Sequence, residues 1–97
     1  MANVDVTQAL SLVKARLNRI QEDTSLDDYL TARINAVIGE LEATGIALTN
    51  STKDLLLVVD STCWAYSNRD KPDGMPEWLR LRRRERWLNE RKRGAGE

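Results

Sequence analysis

Cys63 is the one side chain in this sequence with the reactivity of a good nucleophile, and the 97 residues contain no histidine to activate it. A thiol needs a neighbouring base or cation to become the reactive thiolate, and none stands near Cys63 in the chain. Its place within an apolar stretch suits a small core residue. The acidic pairs Glu22–Asp23 and Asp27–Asp28 could in principle hold a cation. Both sit where a helix is expected to start, however, and carboxylates there are explained by capping and by the positive helix end. No glycine-rich phosphate loop is present. A single cysteine without histidine gives neither a disulfide framework nor a usual zinc set. The sequence thus predicts no catalytic, cofactor or metal site, and enzyme is the weakest class.

What remains is charge. Residues 1–68 carry five basic and nine acidic side chains (net −4), whereas residues 69–97 carry ten basic and six acidic (net +4). Between positions 80 and 93, eight bases face only Glu85 and Glu90. This asymmetry predicts a body and a basic arm that meets something acidic, either nucleic acid or a protein surface. A solvated helix face would balance its charges at i,i+4, but Arg82 and Arg86 repel at that spacing. Arg80, Arg82, Arg83, Arg84 and Arg86 could neutralise phosphates. Alternatively, Trp78, Leu79 and Trp87 could anchor a protein contact with those arginines around them. Trp and Arg are the types enriched at interface hot spots, and this favours the protein contact.

The element that must position the arm is residues 51–69. It holds the only unbroken run of five large aliphatic residues, positions 55–59, followed by Trp64 and Tyr66. On a helix, Leu55, Leu56, Val59, Cys63 and Tyr66 fall within an arc of about 100°. Leu57 and Trp64 form a second stripe nearly opposite. A buried strand competes for such a run, but Ser51 as a cap with Asp54 three residues on decides for helix, the carboxylate reaching back to a capping N–H. Two apolar faces make this the central element. The second face, Leu57 and Trp64, is free to meet either a neighbouring subunit or the arm of the same chain.

Two helices precede it. Val6, Leu10, Val13, Leu17 and Ile20 recur at spacings of four and three and predict a first helix over residues 6–20. A second starts at Ser25 with Asp28 as its partner and buries Leu26, Tyr29, Leu30, Ile34, Val37, Ile38 and Leu41. Gly45 is placed to end it in the left-handed conformation, and Ile46 and Leu48 anchor the link that follows. Beyond position 69, Pro72, Gly74 and Pro76 break the chain. Pro76 then suits the first turn of a fourth helix. Trp78, Leu81 and Leu88 share one side of it, and Trp87 lies on the basic side. Residues 91–97 read as a polar tail, frayed or ordered by a partner.

The expected fold class is therefore all-α: a small three-helix body, residues 1–70, around the central helix, plus a C-terminal segment, residues 71–97, of break, basic helical arm and tail. With 41% hydrophobic and 31% charged residues the composition is that of a globular domain. No bilayer span and no signal peptide are read, so an intracellular, reducing site of synthesis is expected. A body of this size has only a marginal core, and assembly would supplement it.

One pattern runs through Val13-Lys14-Ala15-Arg16-Leu17, through Asp27-Asp28-Tyr29-Leu30 with Ile34-Asn35-Ala36-Val37-Ile38, and through Trp64-Ala65-Tyr66-Ser67-Asn68-Arg69-Asp70. The break at Met75-Pro76 and the segment from Trp78-Leu79-Arg80 to Arg86-Trp87-Leu88 complete it, covering residues 6–90. In order and spacing it resembles the head-to-tail connector proteins of tailed phages, the small helical adaptors also called head-completion proteins. The resemblance implies a virion protein, made in the host cytoplasm. About a dozen copies would form a ring beneath the portal protein, extending the DNA channel and offering a platform to the next connector or tail protein. It implies that residues 78–93 dock on the portal and that acidic residues such as Asp23, Asp27, Glu40 or Glu42 face DNA that passes without being bound. The alternative is a small helical nucleic-acid-binding protein that uses the basic arm.

Overall fold

The computed structural model describes residues 4–18, 22–68 and 74–95, the last three as backbone only. Among them are four helices and no strand: α1 (Val6–Arg16), α2 (Asp27–Ala43), α3 (Thr52–Ser67) and α4 (Glu77–Ala95). Expectations that fall on Arg19, Ile20 and Gln21, on residues 69–73 and on residues 96–97 lie outside the described residues.

Helix α1 starts because Asp5 caps it, its carboxylate accepting from the amides of Thr7 (3.0 Å) and Gln8 (3.2 Å). It ends at Arg16, short of the expected position 20. Asn18 takes a left-handed conformation at φ 60°, which Asn tolerates better than most residues. Ala9, Val13 and, unexpectedly, Lys14 are its buried side chains. Lys14 reaches the Asp27 carboxylate at 3.0 Å. That carboxylate stands in the first turn of α2, so the ion pair joins the two helices.

The expected Ser25 cap of α2 does not form. Asp23 bends the chain first by accepting from the Ser25 amide (3.0 Å), and Leu26 occupies the cap position without a side-chain bond. Asp27 and Asp28 in the first turn still meet the positive helix end. Leu30, Ile34, Val37 and Leu41 are buried as expected, whereas Tyr29 is exposed. Gly45 ends the helix at φ 103°. Its N–H bonds the Glu42 carbonyl (3.0 Å) and the Ile46 N–H bonds that of Leu41 (3.3 Å), the return pattern that a left-handed residue permits. Ile46 and Leu48 are both buried.

Ser51 caps α3 by accepting from the Asp54 amide (3.2 Å). The Asp54 carboxylate does not return to the cap. It accepts instead from the amide (2.8 Å) and hydroxyl (2.9 Å) of Thr49. Eight α3 side chains are buried, from Asp54 to Cys63, and α1, α2 and α4 all pack on this helix. Leu56 departs from the expected stripe and is exposed. Helices α1 and α2 also pack on each other. Helix α4 begins under Pro76, whose carbonyl accepts from the amides of Leu79 (3.1 Å) and Arg80 (3.0 Å). It continues to Ala95, past the point where a polar tail was expected. The described residues form a slab of 46 × 32 × 18 Å, thin enough that each peripheral helix keeps an outward face.

Candidate interaction surface

Helix α4 is held on α3 and on the second half of α2 mainly by its arginines. Arg86 is the centre of the seam. Its Nε donates to Asp54 Oδ1 (2.7 Å) and its Nη2 to Asp54 Oδ2 (3.2 Å), a two-pronged ion pair. Nη2 also reaches the Ala47 carbonyl and Nη1 reaches Glu90, both at 2.9 Å. Both partners are largely out of solvent, with side-chain exposures of 12% for Arg86 and 3% for Asp54. Burial by itself would raise the Asp54 carboxyl. The hydrogen bonds from Arg86 and from the Thr49 amide and hydroxyl outweigh it and hold the group below the usual carboxylate range. The Arg86 guanidinium is pushed up, first by its hydrogen bond to Asp54 and against the effect of burial.

One turn earlier, Arg82 pairs with Asp60, which also pairs with Arg16 of α1. Asp60 thus links α1, α3 and α4. Arg83 bonds Glu40 of α2 (2.9 Å) and, through Nε, the hydroxyl of buried Ser61 (3.3 Å). Trp87 donates its indole N–H to the Thr44 carbonyl (2.9 Å), which satisfies a carbonyl at the end of α2. Arg91 lies over the Trp87 ring at 5.1 Å. Beside Trp87 a shallow cleft of about 370 Å³ is lined by Leu41, Thr44, Ile46, Arg83, Arg84 and Trp87. Among the described side chains of the helix, Leu79 is the one fully buried apolar residue, and it belongs to the common core.

The eight residues expected to form a partner interface are thereby divided. Leu79, Arg82, Arg83, Arg86 and Trp87 turn towards their own chain, and Trp78, Arg80 and Arg84 are exposed, Arg84 at the edge of the cleft beside Trp87. The outward side also carries Leu81 and Leu88. Trp78, Leu81 and Leu88 are 50%, 55% and 45% exposed. Of the two residues expected as a subunit patch, Leu57 is buried and sits beside Arg82, Glu85 and Arg86 in a crevice under α4. It therefore meets the same chain and offers nothing to a neighbour while α4 is seated. Trp64 is half-buried and lines a second crevice with Met75 and Arg83. Among the acidic candidates for a DNA-facing surface, Asp27 and Glu40 hold internal ion pairs, while Asp23 and Glu42 are exposed.

The sequence reading missed Asp54 and Asp60 as partners of α4. The signal was present in the opposite net charges of residues 1–68 and 69–97, which complement each other within one chain. Cys63 is buried, and burial pushes its thiol up, away from the reactive thiolate. Among the described residues no group of three or more Cys, Asp or Glu is arranged to hold a metal ion, and no helix is long and apolar enough to cross a membrane. No protein-family model matches the chain, and comparison with curated proteins and with solved structures finds no significant match.

Proposed function

We propose that this chain is a structural adaptor of the head-to-tail connector kind, in which α1–α3 are the body and the outward face of α4 is the surface of assembly. The observation that carries this reading is the exposed Trp78, Leu81 and Leu88 stripe on a helix that commits Arg82, Arg83 and Arg86 to carboxylates of its own chain. A helix evolved to grip phosphates would keep its guanidinium groups for them. Here Arg82, Arg83 and Arg86 meet carboxylates of the same chain, and only Arg80 and Arg84 of the five expected contacts are exposed. A large apolar stripe rimmed by arginine instead has the composition of a protein contact. Many copies closing into a ring would then attach to a portal through summed weak contacts. The ring would extend the DNA channel and present a platform for the next connector or tail protein.

The test is attachment. The full chain is expected to cosediment with capsids that carry a portal but no tail, and to leave duplex DNA unbound at moderate salt. Retention of duplex with affinity falling steeply as salt rises, and no capsid attachment, would replace this reading with the nucleic-acid one. Removing residues 76–97 is a poor probe, because it also deletes Leu79 from the core and the partner of Asp54. Leu81→Ser with Leu88→Ser changes only exposed positions and is the better variant for loss of attachment.

A further inference from the structure

We infer that the outward face of α4 packs against the outward face of α2 in a second copy of this chain. The inference rests on the assembly reading and names the occupant of its surface. Helix α4 offers a ridge, Trp78, Leu81 and Leu88, each about half exposed. Helix α2 offers the shape that receives one. Ala32, Ala36, Gly39 and Ala43 are all exposed and fall on the side opposite its buried Leu30, Ile34, Val37 and Leu41. Around Gly39 a Cβ would meet nothing within 4 Å. Large side chains on one helix entering a groove of small ones on another is how helix pairs approach closely. The lengths also agree, since 17 and 19 residues correspond to roughly 25 and 28 Å at the helical rise.

Charge selects α2 over the other apolar candidate, α4 itself. The exposed charged side chains of α4 are Arg80, Arg84, Arg91 and Lys92 against Glu77 and Glu85, a net of +2. Those of α2 are Asp28 and Glu42, with Glu40 already paired to Arg83 of its own chain, a net of −2. Two copies of α4 would bring like charge together, whereas α4 on α2 brings opposite charge together. Both surfaces exist on every copy, so each chain can give one contact and receive another. That is the requirement for a heterologous contact that closes a ring.

Light scattering of the full chain over a dilution series, without capsids, tests this directly. Wild type is expected to self-associate, and less so as salt rises. Leu81→Ser with Leu88→Ser is expected to weaken association by at least about tenfold, since both side chains give up the apolar area that the contact covers. Gly39→Gln, on the other partner, is expected to weaken it comparably by filling the groove. The same change should leave the fold at least as stable, because Gly is the poorer helix former, so unfolding cannot explain its effect. A wild type that stays monomeric throughout would overturn the inference, and capsid attachment by that monomer would leave the connector reading standing. Loss of association in the α4 variant but not in Gly39→Gln would also overturn it, assigning the contact to α4 on α4. Self-association that responds to both variants without capsid attachment would support the inference and sink the connector reading.

Discussion

Along α4 the inner face holds Arg82, Arg83, Arg86 and Glu90 with the fully buried Leu79, while the outer face holds Trp78, Leu81 and Leu88. A surface helix ordinarily does the reverse, with its apolar stripe inward and its charges in water. The two faces therefore answer to different physics. Ion pairs on the inner face add little net stability over a well-packed apolar seam, because each charge loses hydration on burial. They do fix direction and register, since a two-pronged Arg–carboxylate pair tolerates little displacement. Among the described residues the outer face has no such partner, and its apolar area lowers free energy only when something covers it.

The largest effect that separates the faces is expected from Arg86→Ala. It leaves the Asp54 carboxylate buried without its cation, and breaking a buried pair in this way costs on the order of 3 kcal/mol. Urea unfolding of the variant measures it, with Asp54→Asn added to recover part of the loss by removing the stranded charge. A cost under about 1 kcal/mol, the range of a solvated pair, would mean that the inner seam does not hold α4 as described.

Acid should act on the inner face by the same route. The Asp54 carboxyl is held below its ordinary range in the folded chain. Folding then favours the deprotonated group, and the stability it contributes is fully present above the unfolded pKa of about 3.9. It is lost as pH falls from there through the lower folded value. Wild type should lose stability over that acid window more steeply than Asp54→Asn, followed by the urea midpoint at each pH. Equal slopes would remove Asp54 from the account.

Glu40→Ala probes the rim of the same seam and should cost less than about 1 kcal/mol, because the pair with Arg83 is open to water on one side. Glu40 is 59% exposed against 3% for Asp54. An effect as large as that of Arg86→Ala would show that depth along the seam does not grade its pairs.

What could be read from the sequence follows the range of the forces involved. Ser51, Gly45 and the Ile46 and Leu48 anchors were legible because caps and turns depend on neighbours a few residues away. Leu30, Ile34, Val37 and Leu41 were legible because periodicity alone gives a buried face. The early end of α1 was not, since Asn18 only tolerates its left-handed conformation and does not demand it. The facing of α4 was not legible for a deeper reason. Periodicity grouped Trp78, Leu81 and Leu88 correctly on one side but carries no information on what lies across. Carboxylates 22 to 43 residues away, at Asp60, Asp54 and Glu40, decide which side turns in. Only the opposite net charges of the two segments hinted at them, and that hint pointed equally well to a separate partner.

The smallest expected effect completes the comparison of the faces. Leu81→Ser in the isolated chain should change unfolding free energy by no more than about 0.5 kcal/mol, as exposed substitutions away from caps and pairs generally do. The side chain keeps 55% of its surface in water, so little burial is forfeited. The outer face should thus be silent in stability and loud in assembly, while Glu40 and Arg86 on the inner face should be the reverse. If Leu81→Ser instead cost as much as a core truncation, about 2 kcal/mol or more, the stripe would be covered within the isolated chain. The outer face would then be a second inner one, and the asymmetry that assigns α4 to assembly would disappear.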